Sequence, residues 1–235
     1  MRAAPTPSEA FLPIYLIAIR RLYDETVSIV GQAAGGDWAF HVSGGRLCLD
    51  FANTISWRRS ERPIERLQTF RDLVSWARQA GLVRDREAAR LLREANQRPA
   101  GGGLLLRTAL QLREVIFRVF VRISQGEPPL EEDLASLNHW IARSLPHARL
   151  VPLLEGFAWS WTPTRDPLAP VLWSVVRSAA ELLTSSDLRR VRQCAGSSCR
   201  WLFMDTTRNR SRRWCDMAVC GNRAKSARHY YLSRR

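Results

Sequence analysis

From residue 38 onward, the spacing of apolar positions separates the chain into segments of distinct period. Residues 38–42 and 46–51 are short apolar runs around Ser43-Gly44-Gly45, which predicts a β-hairpin. Leu67, Phe70, Leu73, Val74 and Ala77 then recur at three- and four-residue spacing, and Gly81 follows as a stop, the pattern of an amphipathic helix. Residues 84–96 predict a second helix, broken by the run from Pro99 to Gly103. The longest predicted helix covers residues 104–124, with an apolar stripe at Leu105, Ala109, Leu112, Ile116 and Phe120. Pro128 and Pro129 close that region, and residues 131–144 predict a further helix whose acidic first turn suits the helix dipole.

Residues 149–151 and 157–162 read as paired strands, with Phe157, Trp159 and Trp161 on one face. Pro163, Pro167 and Pro170 mark a linker into a helix over residues 171–184. No internal repeat is visible. Residues 1–36 fit this pattern poorly: they open with Pro5 and Pro7, end in Ala-Ala-Gly-Gly, and read as an extension of the kind an upstream start codon would add. The expected fold class is therefore α+β. Residues 37–186 form a mostly helical domain with a small antiparallel sheet, and residues 187–235 form a small C-terminal unit.

Composition adds a partner to this outline. The apolar fraction of 46% and nine tryptophans suffice for a core, so wholesale disorder is excluded. The net charge of +14 points to a polyanion, and its location says more than its total. Residues 187–235 carry 13 basic and 3 acidic side chains, whereas residues 1–186 carry 23 and 19. The last fifth of the chain is the polyanion-seeking part. Lys225 is the single lysine, a bias that a GC-rich coding genome would also produce. No apolar stretch approaches the roughly 18–20 residues needed to span a bilayer. The longest candidate, residues 11–19, has Arg20 and Arg21 on the wrong side for a secretory signal. The expected location is the cytoplasm, with no membrane partner. In that reducing compartment cysteine pairs serve more often as metal ligands than as disulfides.

Four of the five cysteines lie near the C-terminus: Cys194 and Cys199 are separated by four residues, Cys215 and Cys220 by four, and the pairs by fifteen. Two close pairs can each wrap one edge of a tetrahedron, the geometry of a structural zinc site. Two disulfides, or four ordinary buried cysteines, are the alternatives. Cys48, between Leu47 and Leu49, reads as a small buried hydrophobe. His229 lies nine residues past Cys220, on the opposite side of a shared helix, and His41, His139 and His147 have no partner at ligand spacing.

Around the pairs the pattern predicts a hairpin plus a helix, treble-clef-like or ribbon-like. Trp201 and Phe203 face one side of a short strand, Leu202 and Met204 the other, residues 205–211 form a polar turn and residues 212–215 a return strand. The final helix is expected to start near Asn222, a good N-cap, which keeps Gly221 out of its interior. Ala224, Ala227 and Tyr231 then share the side of Cys220. The basic side chains fall on two features, a loop with Arg208, Arg210, Arg212 and Arg213 and a helix with Arg223, Lys225 and Arg228. A helix for the major groove flanked by a basic loop for phosphates is a workable DNA reader. A solvated basic face with no partner is the bland alternative.

The run Cys194-x4-Cys199-Arg200-Trp201-Leu202-Phe203, then Asn209-Arg210-Ser211-Arg212-Arg213-Trp214-Cys215, then Cys220-Gly221-Asn222-Arg223-Ala224-Lys225, resembles the CGNR zinc finger. Upstream, Gly45-x3-Leu49-Asp50-Phe51-x-Asn53-Thr54 resembles the start of the ABATE domain that accompanies it, and Leu182-Leu183-Thr184-Ser185 through Arg190-Val191-Arg192 matches the junction between the two. The resemblance covers about residues 38–232. It implies a stress-induced bacterial transcription regulator whose finger binds DNA while the larger domain senses a ligand or assembles the protein, a homodimer included. RNA binding, protein interaction and thiol-based redox sensing are the other functions the same residues would serve. An enzyme is not expected, because four cysteines would close the metal shell and no nucleophile motif or phosphate-cradling loop is present. Asp50 and Asn53 interrupt the apolar run from Leu47 to Ile55; hydrogen bonding to backbone is the expected role, a ligand pocket the other.

Overall fold

A computed structural model describes residues 39–162, 164 and 169–233. The proposed extension over residues 1–36, Trp38 in the expected hairpin, and Pro163 and Pro167 in the expected linker lie outside the described residues.

The expected hairpin around Ser43 is a helix. Residues Leu47–Ala52 form α1, and all six are buried. A segment buried on every side shows no periodicity, so its apolar run reads equally as a core strand. Asp50 fixes the turn that feeds it, its Oδ1 accepting from the backbone N–H groups of Ser43 (3.0 Å) and Gly44 (2.7 Å). Gly44 is required there, since an added Cβ would stand 2.9 Å from the Asp50 nitrogen. The short strands β1, Ile55–Ser56, and β2, Ile64–Glu65, follow and pair antiparallel.

Helix α2, Phe70–Gln79, begins with a capping box between Thr69 and Asp72 and ends before Gly81, whose φ of 70° suits glycine. Helix α3 is Asp85–Gln97, and α4 is Pro99–Ser124. The proline and glycine run thus opens α4 instead of breaking the chain. Pro99 sits in the first turn, where its missing N–H costs nothing. Gly102 lets the helix approach α2, because a Cβ there would stand 3.3 Å from the Phe70 ring. Helix α5, Glu131–Ser144, matches the expected bounds.

Strands β3, Ala148–Pro152, and β4, Phe157–Trp161, pair antiparallel with Leu150 opposite Trp159. Helix α6, Ala169–Leu183, follows. The core is built from α1, α4 and α6, with Phe51, Phe120, Leu49, Leu112, Ile116 and Leu172 almost wholly removed from solvent. Burying each such side chain contributes about 1.5–3 kcal/mol. At its margin the Arg113 guanidinium, 3% exposed as a residue, makes two hydrogen bonds to Glu65 (2.6 and 2.7 Å) and one to Glu114 (2.8 Å). Arg58 joins Glu114 from the other side at 2.7 Å.

The C-terminal segment adds β5, Val191–Gln193, β6, Leu202–Met204, a π-type turn at Met217–Gly221 and α7, Asn222–Leu232. The strand pairing differs from the expectation: β6 pairs antiparallel with β5, and residues 212–215 form no strand. The overall class is α+β, mostly helical, with small antiparallel sheets and a C-terminal hairpin and helix around a cysteine cluster.

Candidate metal centre

The alternation in β6 sorts its side chains between two cores. Leu202 and Met204 join the large core with Val191, while Trp201 and Phe203 pack with Cys194, Cys199, Cys215 and Cys220 in a second cluster. The hairpin β5–β6 carries Cys194 and Cys199 in its loop. Gly196 keeps that loop tight, since an added Cβ would lie 3.2 Å from Cys199 Cβ and 3.6 Å from Cys194 Sγ. Arg200 takes φ 64°, turning the chain back into β6. The Ala195 N–H donates to the Arg213 carbonyl at 2.9 Å, which brings the second cysteine pair beside the first.

Asp216 then caps the helical segment, its Oδ1 accepting from the Val219 N–H at 2.8 Å. Helicity therefore begins at Met217, through the π-type turn, five residues before the expected start. Gly221 is inside it because a Cβ would collide with the Met217 sulfur and stand 3.2 Å from Trp214 Cδ1. The turn presents Cys220 to the cluster. Arg212 supports it from beneath: its Nε donates to the Trp214 carbonyl (2.9 Å), its Nη2 to the Cys215 carbonyl, and its guanidinium lies 4.6 Å over the Phe203 ring. Asp205, fully buried, accepts from Thr207 and from the Arg212 N–H (3.0 Å). Burial pushes its carboxyl up, but these hydrogen bonds outweigh burial and hold it below the usual carboxylate range.

All four sulfurs lie within 4.8 Å of one another, the single such group among the described residues. Cys199 and Cys215 are 3.6 Å apart, Cys215 and Cys220 3.7 Å. Four thiolates at about 2.3 Å around one tetrahedral ion would stand ~3.8 Å apart, so the group has the size of a zinc tetrathiolate. A disulfide needs about 2.05 Å, and all five cysteines are free. Cys48 stands apart in α1, where burial raises its thiol to about 12, the unreactive state expected of a core cysteine.

The cluster is locked to the helical domain. Asn53 Nδ2 donates to the Leu202 carbonyl (2.8 Å) and its Oδ1 accepts from the Leu202 N–H (2.9 Å). Trp201 Nε1 donates to the Ile55 carbonyl at 2.8 Å, and the Met204 N–H to the Gly44 carbonyl at 2.8 Å. His41 packs on Trp201, ring centroids 5.5 Å apart, with its Nε2 3.2 Å from Asp216 Oδ2. Asp50 and Asn53 thus both bond backbone, Asp50 locally and Asn53 across to the finger. Sequence reasoning did not place His41 or Trp57 here, and neither carries a spacing signal to the cysteines.

The basic residues divide by role. Arg208, Arg210 and Arg213 are exposed on the loop between the cysteine pairs. Arg223, Lys225 and Arg228 are exposed on α7. Among the described residues none of these six has a carboxylate partner. Arg212 differs from these six: it is half-buried, and its guanidinium is engaged by the Trp214 and Cys215 carbonyls, a placement the sequence does not separate from that of its neighbour Arg213. Arg223 stacks 4.1 Å over Trp57. Over residues 222–230 only Ala224 is even half-buried, so the expected inward side of α7 at Ala227 faces solvent; the Tyr231 side chain lies outside what is described.

Among curated proteins none matches the chain. Residues 190–232 match the family model of the CGNR zinc finger, which with the four gathered thiols identifies zinc as the metal of this centre. Residues 45–186 match the ABATE model, described as "Putative stress-induced transcription regulator". The protein belongs to the ABATE family and carries a CGNR zinc finger at its C-terminal end.

Proposed function

We propose that the chain is a zinc-dependent DNA-binding transcription regulator without catalytic activity, in which Cys194, Cys199, Cys215 and Cys220 hold one zinc ion and the helical domain senses a stress-related ligand or mediates assembly. The observation that carries this reading is the bare helix α7, exposed almost throughout, bearing Arg223, Lys225 and Arg228 beside the loop with Arg208, Arg210 and Arg213. A helix of about 10–12 Å diameter fits the roughly 12 Å major groove, and flanking guanidinium groups would seat on phosphates. Four thiolates leave the centre with a formal charge of minus two, which Arg212 and its neighbours offset locally; the six exposed cations remain for a polyanion. A shell of four thiolates leaves zinc no open position for substrate, and neither matched family is an enzyme family.

Burial of the four cysteines, each at most 5% exposed, weighs against a thiol-based sensor. No helix among the described residues is long and apolar enough to cross a membrane, in keeping with a regulator that works in the cytoplasm. A small ligand of the helical domain would enter the open groove between α4 and α5, walled by Gln111, Glu114, Arg118, His139 and Trp140.

The test is a salt titration of the full zinc-loaded chain against duplex DNA and single-stranded RNA of equal length. Tighter binding to duplex, falling steeply with salt, supports the reading. Tighter binding to RNA replaces DNA by RNA as the partner, and no binding to either refutes both.

A further inference from the structure

The proposed DNA reader ends at the finger only if the finger stands alone, and it does not. The loop between β1 and β2, residues 57–63, belongs to the helical domain yet lies against the finger at two points. The Arg59 N–H donates to the Ser198 carbonyl, in the loop that carries Cys199, at 3.3 Å. Trp57 lies beneath the Arg223 guanidinium in the first turn of α7, 4.1 Å from ring centroid to Cζ. The loop is thus seated in the angle between the first cysteine pair and the basic helix.

Its side chains are sorted by direction. Arg58 turns inward, its guanidinium held by Glu114 and by the Ala52 carbonyl (2.9 Å). Arg59 and Arg62 are exposed, and among the described residues neither guanidinium meets a carboxylate. Glu61, also exposed, is the one acidic group within the loop. Arg58, with a carboxylate partner, is spent on the fold; Arg59 and Arg62, without one, lie on the loop whose Trp57 stacks under Arg223 of α7, a helix whose own cations also lack a carboxylate partner among the described residues. Two exposed guanidinium groups on a loop anchored to the finger through the Arg59 N–H and the Trp57 ring suit the phosphate backbone flanking the groove that α7 would enter.

We propose that the nucleic-acid interface is composite: Arg59 and Arg62 of the helical domain contact backbone phosphates of the same DNA duplex that α7 engages, with Trp57 bracing Arg223 at the seam. This rests on the DNA-binding reading given above. It also gives the helical domain a direct way to alter binding, since any movement of the β1–β2 loop shifts two phosphate-binding groups and the platform under a third.

The experiment uses the full zinc-loaded chain and a duplex DNA, with binding followed across a salt series. Three double variants are compared, each removing two exposed charges: R59A/R62A, R208A/R210A on the finger, and R86A/R93A on α3. Zinc content is measured for all. Without these two phosphate anchors, R59A/R62A binds roughly tenfold more weakly at low salt, and its slope of log affinity against log salt falls by about 1.8. R86A/R93A keeps the wild-type slope. Weakening by R208A/R210A alone overturns the composite interface and leaves the finger as the reader. Equal weakening by R86A/R93A overturns it too, as a mere effect of net charge. If the wild-type chain binds no duplex DNA at low salt, the DNA-binding reading itself fails and the composite interface with it.

Discussion

The side-chain amide of Asn53 closes a two-way hydrogen-bonded ring with the backbone of Leu202, joining the end of α1 to the strand between the two cysteine pairs. Both residues are buried, at 3% and 0% exposure, so neither partner can turn to water. Replacing Asn53 by alanine leaves a buried N–H and a buried carbonyl unpaired, at a cost of about 2–4 kcal/mol. Asn53→Asp keeps the acceptor but loses the donor and places its carboxylate against a carbonyl, so it gains nothing over alanine. Urea denaturation measures the loss; a change below about 0.5 kcal/mol would show that the ring does not hold the two parts together.

Chelation of zinc reaches further than the finger. An isolated finger of this size would unfold without metal and leave the first 185 residues intact. In the structure Val191, Leu202 and Met204 belong to the main core, and Asn53 binds its strand. Hydrogen exchange after chelation is expected to rise in β5, β6 and the turn holding Cys220, and also in α1. Unchanged protection in α1 would mean that the two cores are energetically separate.

The parts of this architecture that were legible in sequence are those with a period or a spacing. The alternation of Trp201, Leu202, Phe203 and Met204 foretold two faces, and the structure assigns them to two different cores. The cysteine spacing foretold a four-thiol group. Helix α5 is legible to its bounds because acidic residues open it and two prolines precede it. Helix α1 is not legible, because six buried residues carry no amphipathic signal. The strand partner of β6 is not legible because β5 and residues 212–215 are both short polar–apolar runs, and pattern alone does not choose between them. The early start of helicity at Met217 is hidden because a glycine such as Gly221 ordinarily marks a boundary; its missing Cβ instead makes room for Met217 and Trp214.

Arg212 and Arg213 are neighbours with different predicted phenotypes. Arg212→Ala removes the support of the Trp214 and Cys215 carbonyls and the contact on Phe203, so zinc is expected to pass to a competing chelator faster. Arg213→Ala removes an exposed charge that rests only on the Trp214 ring, so zinc retention stays as in the wild type while the salt slope of DNA binding falls by about 0.9. Chelator competition and a salt titration separate the two; identical behaviour of both variants would remove the distinction.

The Glu114 carboxyl gives a pH signature. Burial raises it, but hydrogen bonds from Arg58 and the charges of Arg58 and Arg113 outweigh burial and hold it below its ordinary 4.5. A depressed folded value means that the carboxylate contributes stability that is complete above the unfolded value and disappears as pH falls through the folded one. Glu114→Gln is therefore expected to be less stable than the wild type at neutral pH, with the gap closing below about pH 4.5. Acid also strips zinc from thiolates, but in both proteins alike, so the difference between their denaturation midpoints isolates Glu114. A gap constant with pH would contradict the assignment.

In the proposed regulator one zinc ion, gripped by four thiolates, fixes the loop and helix so that their cations face a duplex together. The most direct test is the affinity of the full chain for duplex DNA, measured at one moderate salt concentration with zinc bound and again after chelation. Binding that disappears on chelation and returns when stoichiometric zinc is restored is the predicted result. Equal affinity in the two states would contradict it.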